Sequence, residues 1–226
     1  MLKPWIFKTR LHYYAQRCNN ELIRDYQLSL LPLLDKSIKH SPLLALDLEM
    51  TGLDAKTDQI ISIGLIPIIN GQIKLNQGQH KLIKIAGSVG QSATIHGVLD
   101  NDLQQALPLD EAINWFFKQA MGHVLVAHHA PLDLSFLEQA LLKMNTQRCR
   151  LSAIDTLKVE HQRLLRKQEV IKEGELRLGS CRSRYHLPTY DAHNALIDAL
   201  SCAELLLAQV SQMGGLEKIK VSDLIR

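Results

Sequence analysis

One apolar run bounded by chain breakers constrains this sequence more than any other stretch: Leu43-Leu44-Ala45-Leu46-Asp47-Leu48-Glu49-Met50, between Pro42 and Gly52. Its length and punctuation mark a buried β-strand, yet two carboxylates sit near its end. Strand side chains alternate with period two, so Asp47 and Glu49 share one face while Leu46 and Leu48 pack on the other. Two carboxylates a few ångströms apart repel, and at least one is driven toward its protonated form unless a cation lies between them. A divalent metal bound by hard oxygen ligands is the simplest arrangement that keeps both acids ionised. A lone Asp-x-Glu also occurs on solvated strand faces. What decides is whether further carboxylates reach the same point.

A chain of 226 residues with 46% apolar content can bury a full core and suits one domain with an appendage. The formal charge of +3 permits a polyanionic partner without requiring one. Cys18, Cys149, Cys181 and Cys202 are scattered with no C-x-x-C pair, which fits neither a disulfide framework nor a zinc site. Lys3, Lys8 and Arg10 are not followed by an apolar signal region, and no run approaches the length of a transmembrane helix. The expectation is a reduced, soluble, cytoplasmic protein with no membrane partner.

Residues 1–41 place Leu22, Ile23, Tyr26 and Leu30 at helical intervals, with a break at Pro32, and read as a helical extension. Its basic face is either solvated or turned toward nucleic acid. Ile60 to Ile69 is a second strand closed by Asn70-Gly71, a hairpin signal, and a third follows around 73–75 or 80–85. The sheet therefore starts antiparallel. Residues 87–102 are turn-rich, and 110–121 form an amphipathic helix with Ile113, Phe116, Phe117 and Ala120 inward. After the short strand 123–127, alternating strands and helices favour parallel pairing. Residues 148–184 carry an excess of basic side chains, with a helix from Thr156 to about Glu169 and a loop from Gly174 to Gly179. That charge suits an approaching phosphodiester backbone, or else a salt-bridged, solvated helix.

A second cluster, Ala127-His128-His129-Ala130-Pro131-Leu132-Asp133, opens a helix at Pro131, with Leu134, Leu137, Leu141 and Met144 at helical spacing. Asp133 shares the inward side with Leu137 and Ala140, as a capping acid or as a metal ligand. In a third cluster, Tyr190-Asp191-Ala192-His193-Asn194-Ala195-Leu196-Ile197-Asp198, His193 sits at or just before the start of a helix that carries Asp198. Five residues apart, the two point about 140° from each other around a helix of roughly 3.6 residues per turn. Each also has a plain reading, His193 as a helix-entry residue and Asp198 as a surface acid.

Together, Asp47-x-Glu49-x-Thr51-Gly52, His128-x4-Asp133 and His193-x4-Asp198 resemble the DEDDh, DnaQ-like class of 3′–5′ exonucleases, the family of the proofreading epsilon subunit of bacterial DNA polymerase III. The resemblance covers roughly residues 43–210. It implies a ribonuclease-H-like α/β fold with a central mixed five-stranded sheet flanked by helices, here with an N-terminal extension. The division expected is 1–41 for the extension, 42–212 for the exonuclease domain and 213–226 for a C-terminal tail. The resemblance further implies two Mg²⁺ or Mn²⁺ ions held by Asp47, Glu49 and Asp198, with Asp133 assisting directly or through water, and His193 as general base. Met50, Thr51 and His96 would meet the terminal nucleotide. The expected substrate is the 3′ end of single-stranded or frayed DNA. RNA is the alternative, because the Leu-Glu-Met-Thr-Gly wording is also similar to oligoribonucleases. Where many relatives have His-Asn before the third acid, this chain has His128-His129. No long polymerase-binding tail follows before Arg226, so a stand-alone nuclease is expected rather than a polymerase subunit. A non-catalytic nucleic-acid or partner-binding module is the competing class. Such a module has no use for four mutually repelling carboxylates around one point.

Overall fold

The structure, a computed structural model, describes residues 4–87, 106–146, 149–166, 170–191 and 193–225. Its centre is the pairing of β1 (Leu43–Met50) with β2 (Ile60–Ile69), antiparallel and in register from Leu43 opposite Ile68 to Glu49 opposite Ser62, with a bulge between Glu49 and Met50. Asn70 and Gly71 both adopt positive φ, 53° and 70°, and turn β2 onto the short β3 (Gln72–Ile73). A second short strand, β4 (Gln79–Leu82), pairs with β2 further along the same edge. On the other side of β1 lie β5 (Val124–Ala127) and β6 (Ala153–Asp155), both parallel. The sheet is thus five positions wide, as expected. It holds six strands because β3 and β4 share the outer edge of β2.

Helices cover both faces. Leu109–Ala120 (α3) buries Ile113, Phe116, Phe117 and Ala120 completely, the residues its periodicity selects. Ala130–Lys143 (α4) follows β5 with Pro131 in its first turn. Thr156–Leu165 (α5) follows β6, and the short Leu178–Ser183 (α6) corrects the expectation of a loop reaching Gly179, which lies inside it. Ala195–Gln212 (α7) lies against β1 and β2. With 18 residues and a mean hydropathy of 1.2, α7 would cross a membrane on length and composition alone, contrary to the sequence expectation. Here it packs Ala199, Cys202, Ala203, Leu206 and Val210 into the core instead. This mixed sheet and its helical layers are the ribonuclease-H-like α/β fold.

Pro4–Arg17 (α1) and Glu21–Ser29 (α2) precede the sheet, and Asn20 caps α2 by accepting from the Ile23 amide. Phe7, Leu11, Ile23, Tyr26 and Leu30 join the same apolar core as the sheet. Tyr26 packs edge-on against Phe117 with ring centroids 5.5 Å apart. Further along the chain, the short Val221–Leu224 (α8) buries Val221 and Leu224, together with Ile225. Residues 34–39 exchange backbone hydrogen bonds with 216–222, including Ile38 N–H to Ile219 O at 2.8 Å and Val221 N–H to Lys36 O at 3.0 Å.

Candidate active site

Asp47 stands opposite Gly64 and Glu49 opposite Ser62, so the two acids share the sheet face on which α7 lies. Gly64 permits that packing. A Cβ at this position would fall 2.1 Å from the Ala195 carbonyl oxygen and 2.4 Å from the Leu196 nitrogen, both backbone atoms. The start of α7 therefore rests directly on β2 and holds Asp198, in its first turn, over the two strand acids. One carboxylate oxygen each from Asp47, Glu49 and Asp198 lies within 4.8 Å of the other two. Asp133 comes from the first turn of α4, 4% exposed. Its charge acts on Asp47, but its oxygens stand outside that close triplet.

The electrostatics are those of acids crowded without neutralisation. Glu49 is pushed up to about 8, by burial first and then by the charge of Asp198. Asp133 is also pushed up to about 8, chiefly by burial, against the pull of backbone hydrogen bonds at Asp133 and Leu48. Asp47 keeps some surface toward solvent but lies deep among neighbouring atoms. Burial, then Asp133, Glu49 and Asp198, raise it well above the carboxylate range. Asp198 is raised by burial as well, with the His193 N–H, donated to its Oδ2 at 2.8 Å, opposing. Across from Glu49, the buried Ser62 hydroxyl has no hydrogen-bond partner among the described residues. Three hard oxygen donors at this separation, made costly to ionise by burial and, for Asp47 and Glu49, by neighbouring charge, fit a divalent cation.

These acids floor a cleft of about 990 Å³. His193 lines it, exposed, with its backbone in the left-handed region at φ 70°, one residue before the cap Asn194. His128, His129, Leu157 and His161 also line it, as do Lys172, Glu173, Leu176, Arg177 and Leu178 from the segment that leads into α6. Lys172, Glu173 and Arg177 are exposed there, so part of the basic excess seen in residues 148–184 lies at the cleft, with one acid beside it.

Asp155 had no signal strong enough to single it out from sequence, and His128, named by the second motif, makes contacts the motif did not announce. Asp155 caps α5 by accepting from the Leu157 and Lys158 amides at 3.0 and 3.4 Å, and also accepts from the His129 amide at 3.1 Å. That third bond holds His129 at φ 70°. The Asp155-Thr156 pair before a helix is the cue that could have found the cap, though not the long-range bond. His128 bonds Thr156 Oγ1 through Nδ1 and the Leu176 carbonyl through Nε2, both at 2.8 Å. A carbonyl only accepts, so Nε2 carries the proton, and burial lowers this imidazole's pKa. His128 thereby clips the segment that leads into α6 to the end of β5.

Of the residues expected near the terminal nucleotide, Met50 and Thr51 do not line the cleft. The Thr51 hydroxyl donates to Asp58 Oδ1 at 3.2 Å and accepts from the Gln59 amide at 3.0 Å, closing the loop after β1. His96 lies outside the described residues.

The family model for exonucleases, RNase_T, matches residues 44–206. The DNA polymerase III PolC-type of Thermotoga petrophila is 29% identical over 191 residues, covering 84% of this chain and 13% of that protein. The 3′-5′ exonuclease DinG of Staphylococcus haemolyticus is 27% identical over 169 residues, covering 74% of this chain and 18% of the relative. The nuclease domain of 3′hExo, a DEDDh family member solved bound to rAMP, superimposes with a TM-score of 0.62 at 12% identity, covering 80% of this chain and 96% of that one. The chain therefore spans less than a fifth of the length of these two curated relatives.

Proposed function

Because this chain belongs to the exonuclease family whose model spans residues 44–206, we propose that it removes nucleotides one at a time from the 3′ ends of single-stranded or frayed DNA. The observation that carries the reading is the meeting of Asp47, Glu49 and Asp198 in an open cleft that Lys172 and Arg177 also line. Basic groups in the same cleft as a carboxylate cluster suit a phosphodiester that must reach acids of its own charge. DNA is favoured by the PolC-type relative, whose name is that of a DNA polymerase. RNA is the second reading, supported by the rAMP bound in the 3′hExo nuclease domain.

In this reading Asp47, Glu49 and Asp198 hold two Mg²⁺ or Mn²⁺ ions, with Asp133 behind them, directly or through water. Bound divalent ions supply positive charge against the phosphoryl oxygens and the departing oxygen. An imidazole nitrogen of His193 takes a proton from the attacking water, the task of a positioned general base. The water oxygen bonds to phosphorus as the P–O3′ bond breaks, the 3′ oxygen of the shortened strand picks up a proton, and a nucleoside 5′-monophosphate leaves. Lys172 and Arg177 receive the strand's phosphates.

The test is digestion of 3′- and 5′-labelled DNA and RNA oligonucleotides side by side, with Mg²⁺ or with EDTA. We expect shortening from the 3′ end, faster on DNA, abolished by EDTA and reduced at least about 100-fold in Asp47→Ala and His193→Ala. If both variants digest like the parent, the assignment of the site is wrong.

A further inference from the structure

We propose that Arg182, with Glu204 and Tyr190, is a clamp that positions the His193 loop over the acids; the inference rests on the role given to His193 above. Arg182 lies on α6 and is 3% exposed, an unusual place for a guanidinium. Its Nη1 donates to the Ser201 carbonyl at 2.6 Å, and its Nη2 to the Pro188 carbonyl and to Glu204 Oε2, each at 2.7 Å. The guanidinium lies 4.8 Å from the centre of the Tyr190 ring. Tyr190 in turn donates its hydroxyl to Glu204 Oε1 at 3.0 Å.

Those contacts join three pieces of the site. Ser201 and Glu204 belong to α7, one and two turns after Asp198, and Pro188 and Tyr190 belong to the loop that leads into His193. One planar fork therefore fixes the helix that carries an acid and the strand of chain that carries the imidazole. On the downstream side, His193 is held by its N–H bond to Asp198 and by the Asn194 cap, which accepts from Leu196 and Ile197. His193 and His186, at φ 70° and 55°, both occupy the left-handed region, where a non-glycine residue persists only when its surroundings over-determine it. The clamp supplies that determination from upstream.

Stability alone does not account for the arrangement. A buried ion pair adds little over apolar side chains of the same volume, whereas a rigid five-donor fork fixes directions that no apolar contact does. Loosening the fork should therefore misplace the imidazole more than it unfolds the chain.

The test compares Arg182→Lys, which keeps the charge and loses the fork, and Tyr190→Phe, which keeps the ring and loses the hydroxyl, with His193→Ala in parallel. The readouts are kcat and KM on a short 3′-labelled oligonucleotide, Mn²⁺ affinity by calorimetry, and the melting temperature. We expect kcat to fall roughly 10- to 100-fold in Arg182→Lys and several-fold in Tyr190→Phe, with KM within about threefold and Mn²⁺ affinity unchanged. Parent-like kcat in both folded clamp variants, beside an inactive His193→Ala, overturns the clamp and leaves the base reading standing. A loss of kcat matched by a loss of Mn²⁺ affinity also overturns it, since the effect then runs through the acids. Parent-like kcat in His193→Ala overturns the base reading and the clamp with it. Should Arg182→Lys fail to fold, Tyr190→Phe decides by the same outcomes.

Discussion

Gly64→Ala should cripple the site while leaving the chain folded. The added Cβ would sit 2.1 Å from Ala195 O, 2.2 Å from Ala195 C and 2.4 Å from Leu196 N. All three are backbone atoms, so no side-chain rotation relieves the clash. Non-bonded heavy atoms settle at about 3.5–4.0 Å, so the strand and helix must part by roughly 1 Å or more. β2 is tied along its length to β1 and gives little. The movement therefore falls on the first turn of α7, which carries Asp198 three residues after Ala195. A displacement of this size opens a triplet whose oxygens now lie within 4.8 Å. Misplacement by about 1 Å commonly costs on the order of 100-fold in rate. Overpacking should cost about 1–3 kcal/mol, or roughly 2–12 °C in melting temperature for a chain of this size. The assay is kcat on a 3′-labelled oligonucleotide with Mn²⁺ affinity and a thermal melt on the same preparation. Parent-like rate and parent-like Mn²⁺ affinity in a folded Gly64→Ala protein would refute the claim that this glycine sets the position of Asp198.

The raised carboxyls make a prediction about pH. With folded values of about 8 for Glu49 and Asp133, against 4.5 and 3.8 as ordinary values, the folded metal-free chain binds more protons than the unfolded chain between those limits. Their stabilising contribution is complete below the ordinary values and is lost as pH rises through about 8. In EDTA, the melting temperature should fall between about pH 6 and pH 8.5, less steeply in Glu49→Gln, and Mn²⁺ should restore it at the higher pH because it binds the ionised acids of the folded state. A melting temperature that climbs over that window without metal would contradict the assignment. Glu160→Ala should cost about 3–5 kcal/mol in urea denaturation, because it strips a buried carboxylate from Arg163 and Arg184. Burial pushes the Glu160 carboxyl up, but hydrogen bonds from Arg163, Tyr185 and Gln209 outweigh it and bring it below the ordinary range. Its contribution is present above the ordinary carboxylate range and is lost as pH falls through the lower folded value.

What could be read from the sequence was whatever obeys a local period. Asp47 and Glu49 share a face because strands alternate, and Asp133 points inward with Leu137 and Ala140 because helices repeat. The hairpin at Asn70-Gly71 and the buried stripe of α3 were legible for the same reason. Three-residue β6 was too short to show a period, and Gly179 suggested a loop although α6 passes through it. That Asp58 and Gln59, brought round by the turn after β1, engage the Thr51 hydroxyl was not legible either. The clip at His128 and the triple role of Asp155 join residues far apart in the chain, and nothing in either neighbourhood announces the partner. Gly64 was visible only as a glycine in an apolar strand. What it accommodates, the backbone at Ala195, lies in a helix formed far downstream.

The pairing of residues 34–39 with 216–222 bears on how this protein is made. The stretch that leads into β1 cannot complete its backbone bonds until residues 216–222 have left the ribosome. Until then α1 and α2 can dock only on a half-assembled layer, and their apolar faces are open to chaperones. Closure across so long a separation is entropically slow. Nascent chains in which residue 216 has not emerged should therefore be digested by protease between α2 and β1, and chains in which residues 216–225 have emerged should resist.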